Sequence, residues 1–165
     1  LPVWAVSVAA FVDGEPTVGV VHAPALAAVW RGVAGDFAHA NGVPIQASQC
    51  QDLAMALVAT GFGYEAAVRS EQGAVVAGLL PQVRDIRRAG AAAVDMCWVA
   101  QGVVDAYFER GTHLWDRAAA MVICAEAGAR VGGISDDLAT DAMTVAAAPG
   151  VYGPLRDLLG ELGVT

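Results

Sequence analysis

The sequence predicts a mixed, layered α/β protein. Three observations point there. Short apolar runs joined by tight turns fill the first half, apolar helical runs alternate with short strands in the second, and 56% of residues are hydrophobic against 16% charged. A chain of 165 residues suits one domain and can bury a real core.

Residues 1–12 enter at once as an apolar strand, without an initiator Met, a basic leader or a transit-peptide composition. The chain therefore reads as a piece of a longer or cleaved protein. Asp13-Gly14 is a two-residue hairpin turn between strands at 6–12 and 17–23. A third strand at 28–31 continues the meander, and Gly, Asn and Pro divide residues 32–49 into short strands and turns. Residues 53–60 read as a buried strand stopped by Gly61-Phe62-Gly63. Ala67, Val68, Val75, Val76 and Leu79 recur at helical spacing within 64–80, and Pro81 closes that helix.

Residues 91–101 are apolar nearly all round, as in a helix buried between layers; Gly102 stops it and a strand at 103–108 follows. A helix over 116–128 carries Asp at its start and Gly at its end. Strands at 129–131 and 143–147 and a closing helix at 152–159 complete the order.

The net charge is −8, and all nine basic residues are arginine. Chemistry that needs a lysine is excluded, and an acidic chain with scattered arginines does not make a nucleic-acid footprint. No uncharged run reaches the roughly 18 residues of a membrane span. Cys50, Cys97 and Cys124 lack C-x-x-C spacing and sit among apolar residues, which suits buried, reduced thiols in a cytosolic protein.

Two segments put carboxylates where a core should have none: Asp105-Ala-Tyr-Phe-Glu109 and His113-Leu-Trp-Asp116. Glu109 ends an apolar strand and Asp116 opens an apolar helix, the kind of junction where layered α/β proteins gather ligands. Carboxylates there suit a hard cation such as Mg²⁺. Asp116 would serve equally as a helix cap, worth about 1 kcal/mol, and Glu109 as a solvated charge beside Arg110. Arg87-Arg88-Ala-Gly90-Ala91-Ala92 offers a helix start whose N–H groups suit an anion, though close helix packing gives the same pattern. His22, His39 and His113 show no metal-ligand spacing, and no G-x-S-x-G elbow is present. Asp85, Asp95, Asp136 and Asp137 read as turns, caps or one satisfied buried acid. Residues 61–65 read as a turn, not a phosphate loop.

Taken together, these segments resemble the inositol monophosphatase family. Residues 87–102 are similar to its R-x-x-G-[ST]-A-A segment, Asp105–Glu109 follows at the expected distance, and Trp115-Asp116-Arg-Ala-Ala resembles W-D-x-A-[AG]-G, ending in Glu126-Ala-Gly128. The likeness extends through residues 55–64 and back to 1–12, and so covers essentially the whole chain. It implies the C-terminal part of an α-β-α-β-α sandwich of the sugar-phosphatase type, in a cytoplasmic homodimer. The implied reaction is hydrolysis of a phosphomonoester, inositol 1-phosphate or a similar polyol phosphate, with two or three Mg²⁺ ions. The implied roles are specific. Asp116 ligates metal, contacts the substrate hydroxyl and is catalytic; Glu109 binds a substrate hydroxyl; Gly90, Ala91 and Ala92 line the polyol or phosphate end through their backbone.

Ala91 stands where the family has Ser or Thr, which removes a hydroxyl, and Ala120 replaces a closing Gly. The family's G-E-E and D-P-[IL]-D-G-T segments, which carry its other metal ligands, are not in the sequence. The expectation is therefore a chain inactive alone, completed by an N-terminal segment. Histidinol phosphate, fructose 1,6-bisphosphate and phosphoadenosine nucleotides are alternative substrates within the same superfamily. A non-catalytic, dimeric module that binds transcription machinery is the alternative from another class. Neither a membrane nor direct nucleic-acid binding is expected.

Overall fold

A computed structural model describes residues 2–135 and 138–164; the expectations for Leu1, Asp136 and Asp137 lie outside them. Strands β1 (Val6–Val12), β2 (Glu15–Ala23), β3 (Ala28–Val33), β4 (His39–Ala40) and β5 (Val43–Pro44) form an antiparallel meander in chain order. Asp13 and Gly14 both take positive φ, 52° and 87°, the twist-matched turn their types allow. Pairing of Val8 with Val20 and of Val20 with Arg31 puts alternate residues on opposite faces. Gly19, Val21, Ala23 and Trp30 face inward and are buried, while Val6, Val8, Val29 and Val33 lie exposed on the other face.

The second sheet runs β7-β6-β8-β10-β9. Its strands are β6 (Leu57–Thr60), β7 (Asp85–Arg87), β8 (Ala106–Glu109), β9 (Arg130–Gly132) and β10 (Thr144–Ala147). Strand β6 pairs parallel with β7 and β8, and β10 pairs antiparallel with β8 and β9. Helices α1 (Ala66–Leu79), α2 (Ala92–Ala100), α3 (Leu114–Glu126) and α4 (Pro149–Glu161) complete the fold.

Two hydrophobic cores result. One lies between the sheets, where Cys97, Tyr107, Ala119 and Ile123 meet Val21 and Trp30. The other joins the far face of the second sheet, through Val58, Phe108 and Val145, to Tyr152, Leu155 and Leu159 of α4 and Leu79 of α1. The layers are therefore β-α-β-α. They agree with the expected layered α/β fold, part of an α-β-α-β-α sandwich.

Several boundaries differ from the sequence pattern, each for a local reason. The strand predicted over 53–60 starts only at Leu57, because Asp52 accepts the Ala54 N–H and turns Leu53–Met55 into a 3₁₀ turn. The strand predicted over 103–108 becomes Ala106–Glu109, since the N–H groups of Val103 and Val104 bond back to the Trp98 carbonyl. Helix α3 begins at Leu114 rather than Asp116. Strand β7 has no counterpart in the sequence pattern: Asp85-Ile86-Arg87 has one apolar residue between two charges, and Asp85 pairs with Arg87 rather than ending a turn or a helix. All three cysteines are free thiols, as expected, but Cys50 is only half-buried. No helix among the described residues is long and apolar enough to cross a membrane.

Helix α3 lies so close to the meander that a Cβ on Gly19 would stand 2.1 Å from the Ala119 carbonyl oxygen. A Cβ on Gly73, inside α1, would meet nothing within 4 Å. Gly19→Ala should therefore lower unfolding free energy in urea by about 2 kcal/mol or more, whereas Gly73→Ala should raise it by about 0.5–1 kcal/mol.

Candidate active site

Because β6 and β8 are parallel neighbours, their C-terminal ends emerge on the same side of the sheet. The loops that follow, together with the start of α2 and the start of α3, enclose a cleft of about 580 Å³. Gly61, Arg88, Gly90, Glu109, His113 and Asp116 all line it. Gly61 and Glu109, far apart in the chain, thus share one wall.

Glu109 is held on three sides. It ends β8, and two residues earlier on the same strand face the Tyr107 hydroxyl donates to its Oε2 at 2.8 Å. Gly61 closes in from β6: a Cβ there would lie 2.0 Å from Oε2, so any side chain at this position would displace the carboxylate. Burial raises the Glu109 pKa above the usual 4.5, the Tyr107 bond and the Arg88 charge pull it down, and the Asp116 charge pushes it up again. Glu109 is thus no freely solvated charge beside a turn; Arg110 pairs with Glu71 instead.

Asp116 sits at the third position of α3, not at its cap. Its Oδ2 accepts the His113 N–H at 2.9 Å, which ties the carboxylate to the helix start and leaves Oδ1 for a ligand. The His113 ring stacks on Trp115 with centroids 4.5 Å apart and meets Asp141 Oδ2 through Nδ1 at 2.7 Å. Arg117, nearly buried, reaches Asp141 Oδ1 at 2.8 Å and also donates to the Thr112 carbonyl. Asp141 therefore braces the loop between β8 and α3 from outside.

The loop before α2 forms the opposite wall. Of the two arginines, only Arg88 lines the cleft, and Arg87 turns back onto Asp85. Gly90 takes φ +97°, and no side chain caps α2 at Ala91. The N–H groups of Gly90 and Ala91 lie toward Asp95, one turn inside α2, where they favour its charged form. Gly90, Ala91 and Ala92 all line the cleft. Asp95 itself is neither the cap nor the satisfied acid that its sequence context suggests: it is buried, and neither of its oxygens has a partner. Asp105 lies outside the cleft: its Oδ2 accepts the Leu57 N–H at 2.7 Å and its Oδ1 accepts the Ser48 hydroxyl at 2.6 Å, so its role is to join β6 to β8.

Sequence reasoning misses Gly61, Tyr107 and Asp141 as parts of this site. Tyr107 is within its reach, since residues two apart on a strand share a face. Gly61 reads only as a strand stop, and Asp141 stands in a loop with no pattern around it. Asp116 and Glu109 offer the hard oxygen donors that suit Mg²⁺, but no group of three or more Asp, Glu, His or Cys among the described residues is arranged to hold a metal. The donor type fits, and the donor number is short.

A layered α/β chain with acids gathered at parallel strand ends defines a class of ligand-binding protein, and similarity to known proteins defines the family. The sequence pattern of the inositol monophosphatase family matches residues 1–160. The chain belongs to that family. It is 43% identical over 157 residues to the inositol-1-monophosphatase of Mycobacterium leprae, covering 92% of this chain and 54% of that protein. It is 38% identical over 167 residues to the Nus factor SuhB of Pasteurella multocida, covering 98% and 61%. The solved structure of Mycobacterium tuberculosis SuhB superposes with a TM-score of 0.90 at 40% identity, over 99% of this chain and 66% of that one. The chain thus spans little more than half the length of the curated relatives it matches.

Asp141 has its pKa lowered from 3.8, first by the Arg117 hydrogen bond and then by His113. A depressed folded-state value means its stabilising effect is present above the unfolded value and lost as pH falls through the folded one. Asp141→Asn should lower the urea midpoint at neutral pH. The gap from wild type should shrink as pH drops below the ordinary carboxylate range.

Proposed function

We propose that the full-length protein carrying this chain is a Mg²⁺-dependent phosphomonoesterase. Its substrate is inositol 1-phosphate or a similar polyol phosphate, and this chain alone is inactive. The observation that supports this reading is the convergence of Glu109, Asp116 and residues 90–92 on one cleft. One fixed carboxylate, Asp116, is too few for the two or three ions the family resemblance implies. The family resemblance implies that further acidic ligands belong to its G-E-E and D-P-[IL]-D-G-T segments.

Bound Mg²⁺ would supply Lewis-acid stabilisation of phosphoryl oxygens and a water of lowered pKa. The residues of this chain do the rest. Asp116, immobilised through the His113 amide, would hold the ion through its remaining oxygen, with little conformational freedom left to lose. Glu109, oriented by the Tyr107 hydroxyl and held by Gly61, accepts a hydroxyl of the leaving alcohol. Ala91 gives no side-chain contact where relatives offer a hydroxyl, so this part of the wall acts through its backbone. The protein is a cytoplasmic homodimer in this reading. Histidinol phosphate and fructose 1,6-bisphosphate differ from inositol 1-phosphate in the alcohol that Glu109 meets, and parallel assays separate them.

A relative described as a Nus factor supports a second reading, a non-catalytic partner in transcription complexes. A variant without turnover that still captures such partners would favour it.

Asp116→Asn in the full-length protein should lower kcat by roughly 100-fold or more with an unchanged melting temperature; an unaltered kcat would leave Asp116 only its bond to the His113 amide. Glu109→Gln should reorder the preference among phosphorylated alcohols, read as kcat/KM over a substrate panel, and an identical ranking would remove its assigned role.

A further inference from the structure

A second cavity, of about 310 Å³, lies between α1, the ends of β6 and β8 and the chain that follows α4. Val75, Val76, Phe108, Met143, Leu162 and Val164 give it apolar walls, and Phe108, Met143 and Val164 are each more than nine-tenths buried. Gly61 and Glu109 line both this cavity and the cleft, so the two spaces share a wall.

Gln72, on α1, lines this cavity but not the cleft, and it is only 8% exposed. Its Oε1 accepts the Gly63 N–H at 2.9 Å. A backbone N–H can only donate, so this bond fixes which end of the amide is oxygen and which is nitrogen. Arg69, one turn earlier, donates to the carbonyls of Gly63 and Tyr64, so the loop that orients Gln72 is itself held from α1. Nε2 of Gln72 then has no acceptor among the described residues. A buried amide donor without a partner costs the fold stability. The Thr60 hydroxyl, by contrast, is spent on the Phe108 carbonyl.

The walls define what fits. An apolar cavity of about 150 Å³ is enough to hold benzene, so this one has room for a ring with a short substituent. The Phe108 ring and the Met143 thioether favour an aromatic occupant. Apolar walls disfavour a net charge, and Glu71 and Glu109 on the cleft side repel an anion. Arg110, the cation on that side, is paired with Glu71.

We propose that this cavity is a second ligand site, which takes a neutral molecule of one aromatic ring and one acceptor oxygen, hydrogen-bonded by Gln72 Nε2. The site is separate from the cleft, and its occupant stands against the far side of the wall that carries Glu109. It does not depend on the phosphomonoesterase reading.

Two fluorinated probes that differ in one acceptor test it in the full-length protein, with binding read by fluorine NMR. The ketone 4-fluoroacetophenone should bind with a Kd of about 1 mM or below, and 1-ethyl-4-fluorobenzene, which lacks the oxygen, should bind about fivefold more weakly. The methyl signals of Val75, Leu162 and Val164 should move on titration, while the amides of Gly90 and His113 stay in place. Gln72→Met removes the donor at nearly the same length and should weaken the ketone about fivefold, leaving the hydrocarbon within about twofold. Val75→Phe fills the space and should weaken both probes about tenfold or more. No binding of the ketone, shifts centred on Gly90 and His113, equal losses of both probes in Gln72→Met, or unchanged binding in Val75→Phe would overturn the proposal. The shift map in wild type decides the location even where a variant fails to fold. Binding needs no turnover, so a full-length protein that hydrolyses no phosphoester would sink the phosphomonoesterase reading and leave this test intact.

Discussion

The parallel pairing of β6 with β8 is the constraint on which the site depends. Three register pairs, Val58 with Ala106, Ala59 with Tyr107 and Thr60 with Phe108, fix the two strand ends side by side. Asp105 fastens the start of this ladder by accepting the Leu57 amide, and Thr60 fastens its end by donating to the Phe108 carbonyl at 2.9 Å. With that register set, Gly61 must stand against Glu109, and the loop after β8 must lead directly into α3. A slip of one residue would reverse the faces and turn the Glu109 side chain out of the cleft.

Much of the layered order is legible in the sequence because it rests on periodicity. The alternation in β1 and β2 reads as strand, and the nearly all-apolar α2 reads as a helix buried between layers. The Asp13-Gly14 turn is legible through backbone chemistry. What the sequence does not show are features set by partners distant in the chain. Strand β7 exists because β6 offers it a parallel edge, and its Asp-Ile-Arg composition says nothing of a strand. Asp116 stands at the third helical position rather than the cap because His113, a weak capping type, takes the cap. Glu109 and Asp116 can be singled out from pattern and resemblance, whereas their supports, Gly61, Tyr107 and Asp141, follow only from the folded geometry.

The acids of this chain divide by environment. Asp105 and Asp141 are paired and stabilise the architecture around the cleft. Glu109 and Asp95 are acids whose burial works against their charge, and both face the same loop. Such groups are found where stability is sacrificed for a chemical task. Asp116 lies between these classes, with one oxygen used by the helix start and one left over. The site therefore combines a rigid scaffold with acids that the scaffold alone does not require.

The proposed function requires a divalent cation and a phosphoester to meet at the junction of β8 and α3. Paramagnetic broadening by Mn²⁺ in the full-length protein tests it most directly. The account predicts that amide signals of residues 109–116 vanish first, with those of residues 90–92 next, and that Mg²⁺ in excess restores both. Broadening centred elsewhere, with residues 109–116 left sharp, would contradict it.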